Sequence, residues 1–297
     1  MLLFVAAALA RSDVAVLVSD TLDAYTAPVE AFRRSIDRPV TVYDLEGDRD
    51  RATAIAKQLA ADPPPLVFAV GAKAAWVAQN DLERIPVVYA MILDPGRYGI
   101  AGTRVTGVSM EVPPEAALSQ FQLFVPEVKT IGVLLSVDNQ SQATKDALAA
   151  AHKLGITTNV QRVTSRRDLR AAWQRMAGEV DALWLLPDSL TMSPDSFRWL
   201  RTEALRRKLP ILAGTENLVR AGALLCVAPD REAVGRQAAE LAMRVLDAGE
   251  TPGMIDPVPP DALRVVLNRD TLDQIGLPVE EIMLDFADEV VREGAGR

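Results

Sequence analysis

One cysteine and one histidine are present in 297 residues, and aromatic side chains make up only 5% of the chain. Each shortage excludes a chemistry. Cys226, inside the apolar run ALLCVA, cannot form a disulfide within the chain and reads as a small buried hydrophobe. His152, in AALAAAHKLG, lies on a helix surface or near a helix end. A Ser-His-Asp or Cys-His arrangement would have to use it, and no G-x-S-x-G turn accompanies it. There is no group of His and Cys at zinc spacing, no G-x-x-x-x-G-K-[ST] loop and no G-x-G-x-x-G. No catalytic residue, metal or cofactor is therefore expected. With so few aromatics, the core has to be built from Ala, Leu, Val and Ile.

Basic blocks are lacking too. The net charge is −8, and the runs SRRDLRAAWQR and LRTEALRRK mix arginine with acids, as solvated helix faces do. Neither a nucleic acid nor an anionic membrane surface is expected as a partner. Nor does any N-terminal helix-turn-helix pattern suggest a DNA-binding domain. Past the first residues, no apolar run reaches the roughly 18 residues of a membrane-spanning helix. The start, MLLFVAAALARSD, combines a nine-residue apolar stretch with Ala8-Leu9-Ala10. It lacks a basic n-region, but the A-x-A pattern marks 1–11 as the remnant of a secretory signal and implies a periplasmic location. No cysteine stands near that point to carry a lipid anchor.

What is present is a repeated unit. With 49% hydrophobic and 24% charged residues the chain is globular. Short apolar strands without a polar face alternate with amphipathic segments: strands at 14–19, 39–45, 66–70, 86–91 and 105–110, and helices at 24–36, 48–61 and 72–82. The alternation restarts at 130–135 and runs through strands at 158–163, 182–186, 210–213 and 223–227, with helices at 141–154, 165–176 and 194–207. Buried parallel strands covered by helices have this pattern. The expected architecture is α/β: two Rossmann-like lobes with parallel sheets joined by a multi-crossing hinge. Lobe one is expected at 12–127 plus 230–255, lobe two at 128–229 plus 256–297. The second part of lobe one includes a long helix from Asp230, DREAVGRQAAELAMRVLDAG.

In open parallel α/β sheets, ligands bind beyond the carboxyl ends of the strands, where loops lead into helix N-termini. Collecting the polar and aromatic residues at those ends gives Asp20, Thr21, Tyr25, Gly71, Ala72, Trp76 and Asp94 in lobe one. In lobe two it gives Asn139, Ser141, Asp188, Ser189, Thr191, Thr215 and Glu216. Two lobes closing on a hinge would bring them around a small polar molecule. Each has a plainer reading beside that one. Asp20 and Asp188 also suit helix capping, Trp76 also suits a core position, Glu216 a solvated surface, and Asn139 a turn.

Two stretches resemble a known family. KLPILAGTENLVRAGALLCVAPDREAVGRQAAELAMRVLDAGETP, and RIPVVYAMILDP followed by VTGVSMEV, are similar to segments of the substrate-binding proteins of ABC transporters, in the subfamily with tryptophan and tyrosine binders. The resemblance implies a periplasmic binding protein type I fold with three crossings, no catalysis, and delivery of a small solute, an amino acid being one candidate, to an ABC permease by a monomer. For an amino acid, it implies helix N-termini at the carboxylate and Asp188 or Glu216 at the ammonium group. The chain departs from the family pattern at Arg231, where tyrosine is usual, at GTEN (214–217), and at Gly71-Ala72 in place of Gly-Thr. A sensory role on the same fold, and an α/β enzyme using cleft carboxylates, are the alternative functions.

Overall fold

The computed structural model describes residues 13–292, so the N-terminal apolar run and its A-x-A pattern lie outside the described residues. Within them the chain divides into two compact units, 13–111 with Pro229–Ala262, and Val112–Ala228 with 263–292. The first unit opens with β1 (Val14–Val18), α1 (Asp23–Ser35), β2 (Val40–Asp44), α2 (Arg49–Ala61), β3 (Val67–Val70), α3 (Ala72–Asp81), β4 (Val87–Ala90) and β5 (Val105–Gly107). Its sheet runs β2-β1-β3-β4-β5 with every pairing parallel. The strands β1, β3 and β4 are buried at every residue, which is why they carry no polar side chain beyond the Tyr89 phenol.

The second unit continues with α4 (Pro114–Phe124), β6 (Thr130–Ser136), α5 (Gln142–Lys153), β7 (Thr157–Val163), α6 (Arg166–Met176), β8 (Ala182–Trp184), α7 (Pro194–Arg206), β9 (Ile211–Ala213), α8 (Glu216–Arg220) and β10 (Leu225–Pro229). After β10 the chain returns to the first unit as α9 (Arg231–Leu246). It then completes the second with β11 (Leu263–Asn268), α10 (Arg269–Ile275), α11 (Glu281–Leu284) and β12 (Glu289–Val291). The second sheet runs β12-β11-β10-β9-β8-β6-β7. Asn268 N donates to Leu224 O and Asp230 N to Ala262 O, so β11 runs opposite to β10. The other pairings from β7 to β10 are parallel.

Short polar side chains cap several helices. Asp48 accepts from Arg51 N at 2.7 Å, Ser165 from Asp168 N at 3.4 Å and Asp230 from Ala233 N at 2.8 Å, each satisfying an N–H that the first helical turn leaves open. Ser193 stands at the cap position of α7 before Pro194, but its hydroxyl donates to Leu190 O instead.

The unit boundaries differ from the sequence expectation at two places. The chain enters the second unit at Val112 rather than after 127, because α4 buries Leu118, Phe121 and Phe124 among Ile131, Val133 and Leu135 of β6. Residues 256–262 stay with the first unit, because Val258 bridges to Val108 beside β5, with Ser109 N donating to Val258 O at 2.8 Å and Val258 N to Gly107 O at 3.0 Å. The elements α8 and β12 carry no pattern of their own in the sequence. Five and three residues are too few to show a period.

The motif GRQAA owes its glycine to a close helix crossing. Helices α1 and α9 share one core, with Val29 and Phe32 beside Val234, Ala238 and Ala242. A Cβ on Gly235 would lie 2.2 Å from the carbonyl oxygen of Pro28. Backbone cannot yield as a flexible side-chain tip can, so Gly235→Ala must push the helices apart. The expected cost is about 1–3 kcal/mol, seen as a lowered midpoint in thermal unfolding; an unchanged midpoint would show that α1 and α9 do not cross here.

Candidate functional site

At the carboxyl edge of the first sheet, β1 ends in Ser19, Asp20 and Thr21. Ser19 is buried, and its Oγ accepts from Ala74 N at 2.9 Å, which ties the end of β1 to the first turn of α3. Between β3 and α3 stands Gly71, with φ 88°, a conformation open to glycine. An added Cβ there would meet Ser19 Oγ at 2.6 Å and Tyr25 Oη at 2.7 Å. The bare backbone of Gly71 is thus faced by two hydroxyls. Ala74 N is held by Ser19 and Ala75 N by Gly71 O, whereas the amides of Ala72 and Lys73 have no partner among the described residues. That leaves two N–H groups at the positive end of α3 for an anion.

The surroundings of that helix end are mixed. Asp20 is exposed, and its Oδ1 accepts from Thr21 N at 2.8 Å. Thr21 is turned away to β2, donating to Asp44 Oδ2 at 2.8 Å. Tyr25 is half-buried. Burial pushes its phenol up from the usual value, and the neighbouring Asp20 and Tyr98 add to the shift, so its hydroxyl stays neutral. Trp76, one turn into α3, is 50% exposed, which excludes the core reading. Leu93 and Tyr98, in the loop after β4, are exposed as well. Met91, the first residue of that loop, holds φ 63°, a strained value for a side chain of its size. Asp94 has a local job: its Oδ1 accepts from Arg97 N at 3.1 Å and closes the short turn Gly96–Tyr98.

The second unit brings Asn139, Ser141, Asp188 and Thr191 into one network. Asp188 is 8% exposed. Its Oδ2 accepts from Ser136 N and Ser136 Oγ, both at 2.8 Å, and from Asn139 Nδ2 at 3.2 Å. Its Oδ1 accepts from Leu190 N and Thr191 N, both at 3.0 Å. Burial alone would raise its pKa; the hydrogen bonds from Thr191, Ser136 and Asn139 outweigh that and hold it below the usual value. Asn139 Oδ1 accepts from Thr144 Oγ1 at 2.9 Å, and Ser141 caps α5 through Thr144 N at 3.2 Å. The carboxylate of Asp188 is therefore occupied by the chain itself, latching the β8–α7 loop to the end of β6. Ser189 beside it is exposed.

Glu216 belongs to another cluster. It is 7% exposed, which excludes a solvated surface position, and it faces Arg264 Nη1 at 3.7 Å. Arg264 also holds Glu289 at 2.9 Å, and Glu289 meets Arg220 at 2.5 Å. Thr215 precedes Glu216 at the start of α8 and makes no side-chain cap there. The buried thiol of Cys226 is pushed up to about 12, first by burial and then by the charge of Glu216, and stays unionised. His152 is exposed on α5.

Comparison with known proteins is decisive at the level of family. Residues 39–291 match the family model for ABC transporter substrate binding protein. The chain belongs to this family. Substrate-binding proteins of this kind bind solutes and are not enzymes. A tyrosine-binding protein of Clostridioides difficile (strain R20291) is 27% identical over 246 residues, covering 80% of this chain and 70% of the relative. Among solved structures, the ligand-free, open form of a substrate-binding protein with adhesive properties from Clostridium difficile superposes with a TM-score of 0.77 at 22% identity, covering 95% of this chain and 99% of that one. An ABC domain in complex with L-Trp from Streptococcus pneumonia gives 0.60 at 24% identity, covering 94% and 100%. These structures share the two-lobed α/β fold of periplasmic binding proteins.

Several polar residues of these clusters escaped the sequence reading. Ser19 reads as the last residue of an apolar strand and Ser136 follows one directly; Arg264 and Glu289 sit far along the chain from Glu216. Their only sequence signal is a hydroxyl or charge at a strand terminus.

Asp188 offers a direct test of the latch. Its folded pKa lies below the unfolded value, so its ionised form adds stability above the unfolded pKa, and that contribution is lost as pH falls through the folded pKa. Asp188→Asn should cost about 1–3 kcal/mol near neutrality and flatten the acid limb of a stability-versus-pH curve from urea titrations. An acid limb as steep as that of the parent protein would contradict it.

Proposed function

We propose that this substrate-binding protein is an extracytoplasmic receptor that captures an amino acid at the carboxyl-edge loops and delivers it to an ABC permease. The observation that carries the reading is the start of α3, where the Ala72 and Lys73 amides are open and the Ser19 and Tyr25 hydroxyls face the bare backbone of Gly71, with the Asp20 charge acting on Tyr25. An α-amino acid has the matching groups: a carboxylate for the helix end and an ammonium for an acid. The resemblance implies Asp188 or Glu216 at the ammonium, but Asp188 is spent on five donors and Glu216 faces arginine; Asp20, which was not expected there, accepts only from Thr21 N among the described residues and takes that place in this reading. Trp76 and Tyr98, half exposed near the same edge, suit an aromatic side chain, in line with relatives whose names record tyrosine and tryptophan. In this reading Asn139, Ser141, Ser189, Thr191 and Thr215 shape the second unit's loops. No helix among the described residues is long and apolar enough to cross a membrane, so the permease would supply the membrane passage.

Isothermal titration calorimetry against the twenty amino acids should give heat with tyrosine or tryptophan. Asp20→Ala should weaken binding by tenfold or more, the worth of about 1.4 kcal/mol, and Trp76→Ala should weaken the aromatic ligands selectively. Silence across all twenty would reject the amino-acid reading; full affinity in Asp20→Ala would reject the role of Asp20.

A further inference from the structure

The runs that read as solvated faces in the sequence come together in the structure. Helices α6 and α7 lie side by side over one core, where Leu169, Trp173 and Met176 meet Phe197, Leu200 and Ala204. Three side-chain contacts join them. Arg166 Nη1 meets Asp195 Oδ2 at 2.9 Å, the Trp173 and Trp199 rings meet edge to face at 6.4 Å, and the Arg170 guanidinium lies 5.7 Å over the Trp199 ring. Arginines 166, 167, 170 and 175 on α6 oppose one acid, Asp168. Arg198 and Arg206 on α7, with Arg207 and Lys208 just beyond it, oppose Asp195 and Glu203, while Arg201 turns inward against Gly222. Asp195 is already shared by Arg166 and Arg198, and Glu203 is taken by Arg206. Arg167, Arg170, Arg207 and Lys208 are exposed, and no acid faces them among the ion pairs of the described residues. This face is strongly cationic on a chain whose net charge is −8.

We propose that the outer face of α6 and α7 is an electrostatic docking surface for an anionic phospholipid bilayer. The proposal takes from the reading above only that the protein works beside a membrane. Charge complementarity selects an anionic partner. A row of exposed cations along two neighbouring helices suits a broad charged plane, to which each cation near the surface adds independently. The Arg170–Trp199 pair adds the combination of cation and amphipathic ring favoured at membrane interfaces. Such docking would hold the receptor near the membrane and would be released by salt.

The test is sedimentation of the full chain with large unilamellar vesicles of phosphatidylcholine containing 30% phosphatidylglycerol, against vesicles of phosphatidylcholine alone. At low ionic strength the protein should partition at least tenfold more strongly onto the anionic vesicles, and 0.5 M salt should abolish the difference. The variant R167Q/R170Q/R207Q/K208Q should lose that preference. A second variant, R49Q/K57Q/R84Q/K129Q, removes the same number of positive charges elsewhere and should keep it. Equal loss in both variants, retention by the first, or no preference in the parent chain would each overturn the proposal; the last would hand the face to an acidic protein partner. Calorimetry with amino acids on the same preparations reports separately on solute binding, so failure of one reading does not mimic failure of the other.

Discussion

The burial of the central strands on both faces is the constraint from which the rest follows. A strand such as Val67–Val70, with no exposed residue, has no side on which to place a polar group. Polar chemistry is therefore pushed to the strand ends. In a parallel sheet the carboxyl ends lie along one edge, and each leads into the electropositive start of a helix. In each unit taken by itself, that edge is where hydroxyls, amides and carboxylates collect.

The two edges use their acids differently. In the first unit Asp20 is exposed and keeps one carboxylate oxygen clear of hydrogen bonds from the chain, while the neighbouring helix start leaves two amides open. In the second unit Asp188 is surrounded by donors and serves to fasten one loop to another, and Glu216 is neutralised by Arg264. The loops of the second unit are satisfied internally, whereas open donors remain on the first. The saturated edge holds its shape, and the open edge has hydrogen-bonding capacity left for a solute.

The fold was largely legible because strand apolarity and helix capping are local. Val14–Val18, Val87–Ala90 and Thr130–Ser136 appear within a residue or two of where the apolar runs place them, and Asp48, Ser165 and Asp230 cap the helices that follow them. What escaped was short or long-range. The helix α8 and the strand β12 have too few residues to show a period, and α4 changed unit because its partners on β6 come later in the chain. The sheet edge on which each candidate residue sits follows from strand order and direction. Its role does not: whether Asp188 faces solvent or Ser136 depends on a contact 52 residues away, and nothing near Asp188 in sequence signals it. Trp76 and Glu216 show the same limit in opposite directions, one exposed on a helix and one buried beside an arginine.

Membership of the substrate-binding family and the geometry at Gly71 meet in one claim, that the carboxylate of an amino acid sits on the first turn of α3. A crystal structure of the protein grown with L-tyrosine measures this directly. The account predicts a ligand carboxylate within hydrogen-bonding distance of the Ala72 and Lys73 amides, with its ammonium group against Asp20. A bound tyrosine lodged elsewhere, with those amides facing only water, would contradict it.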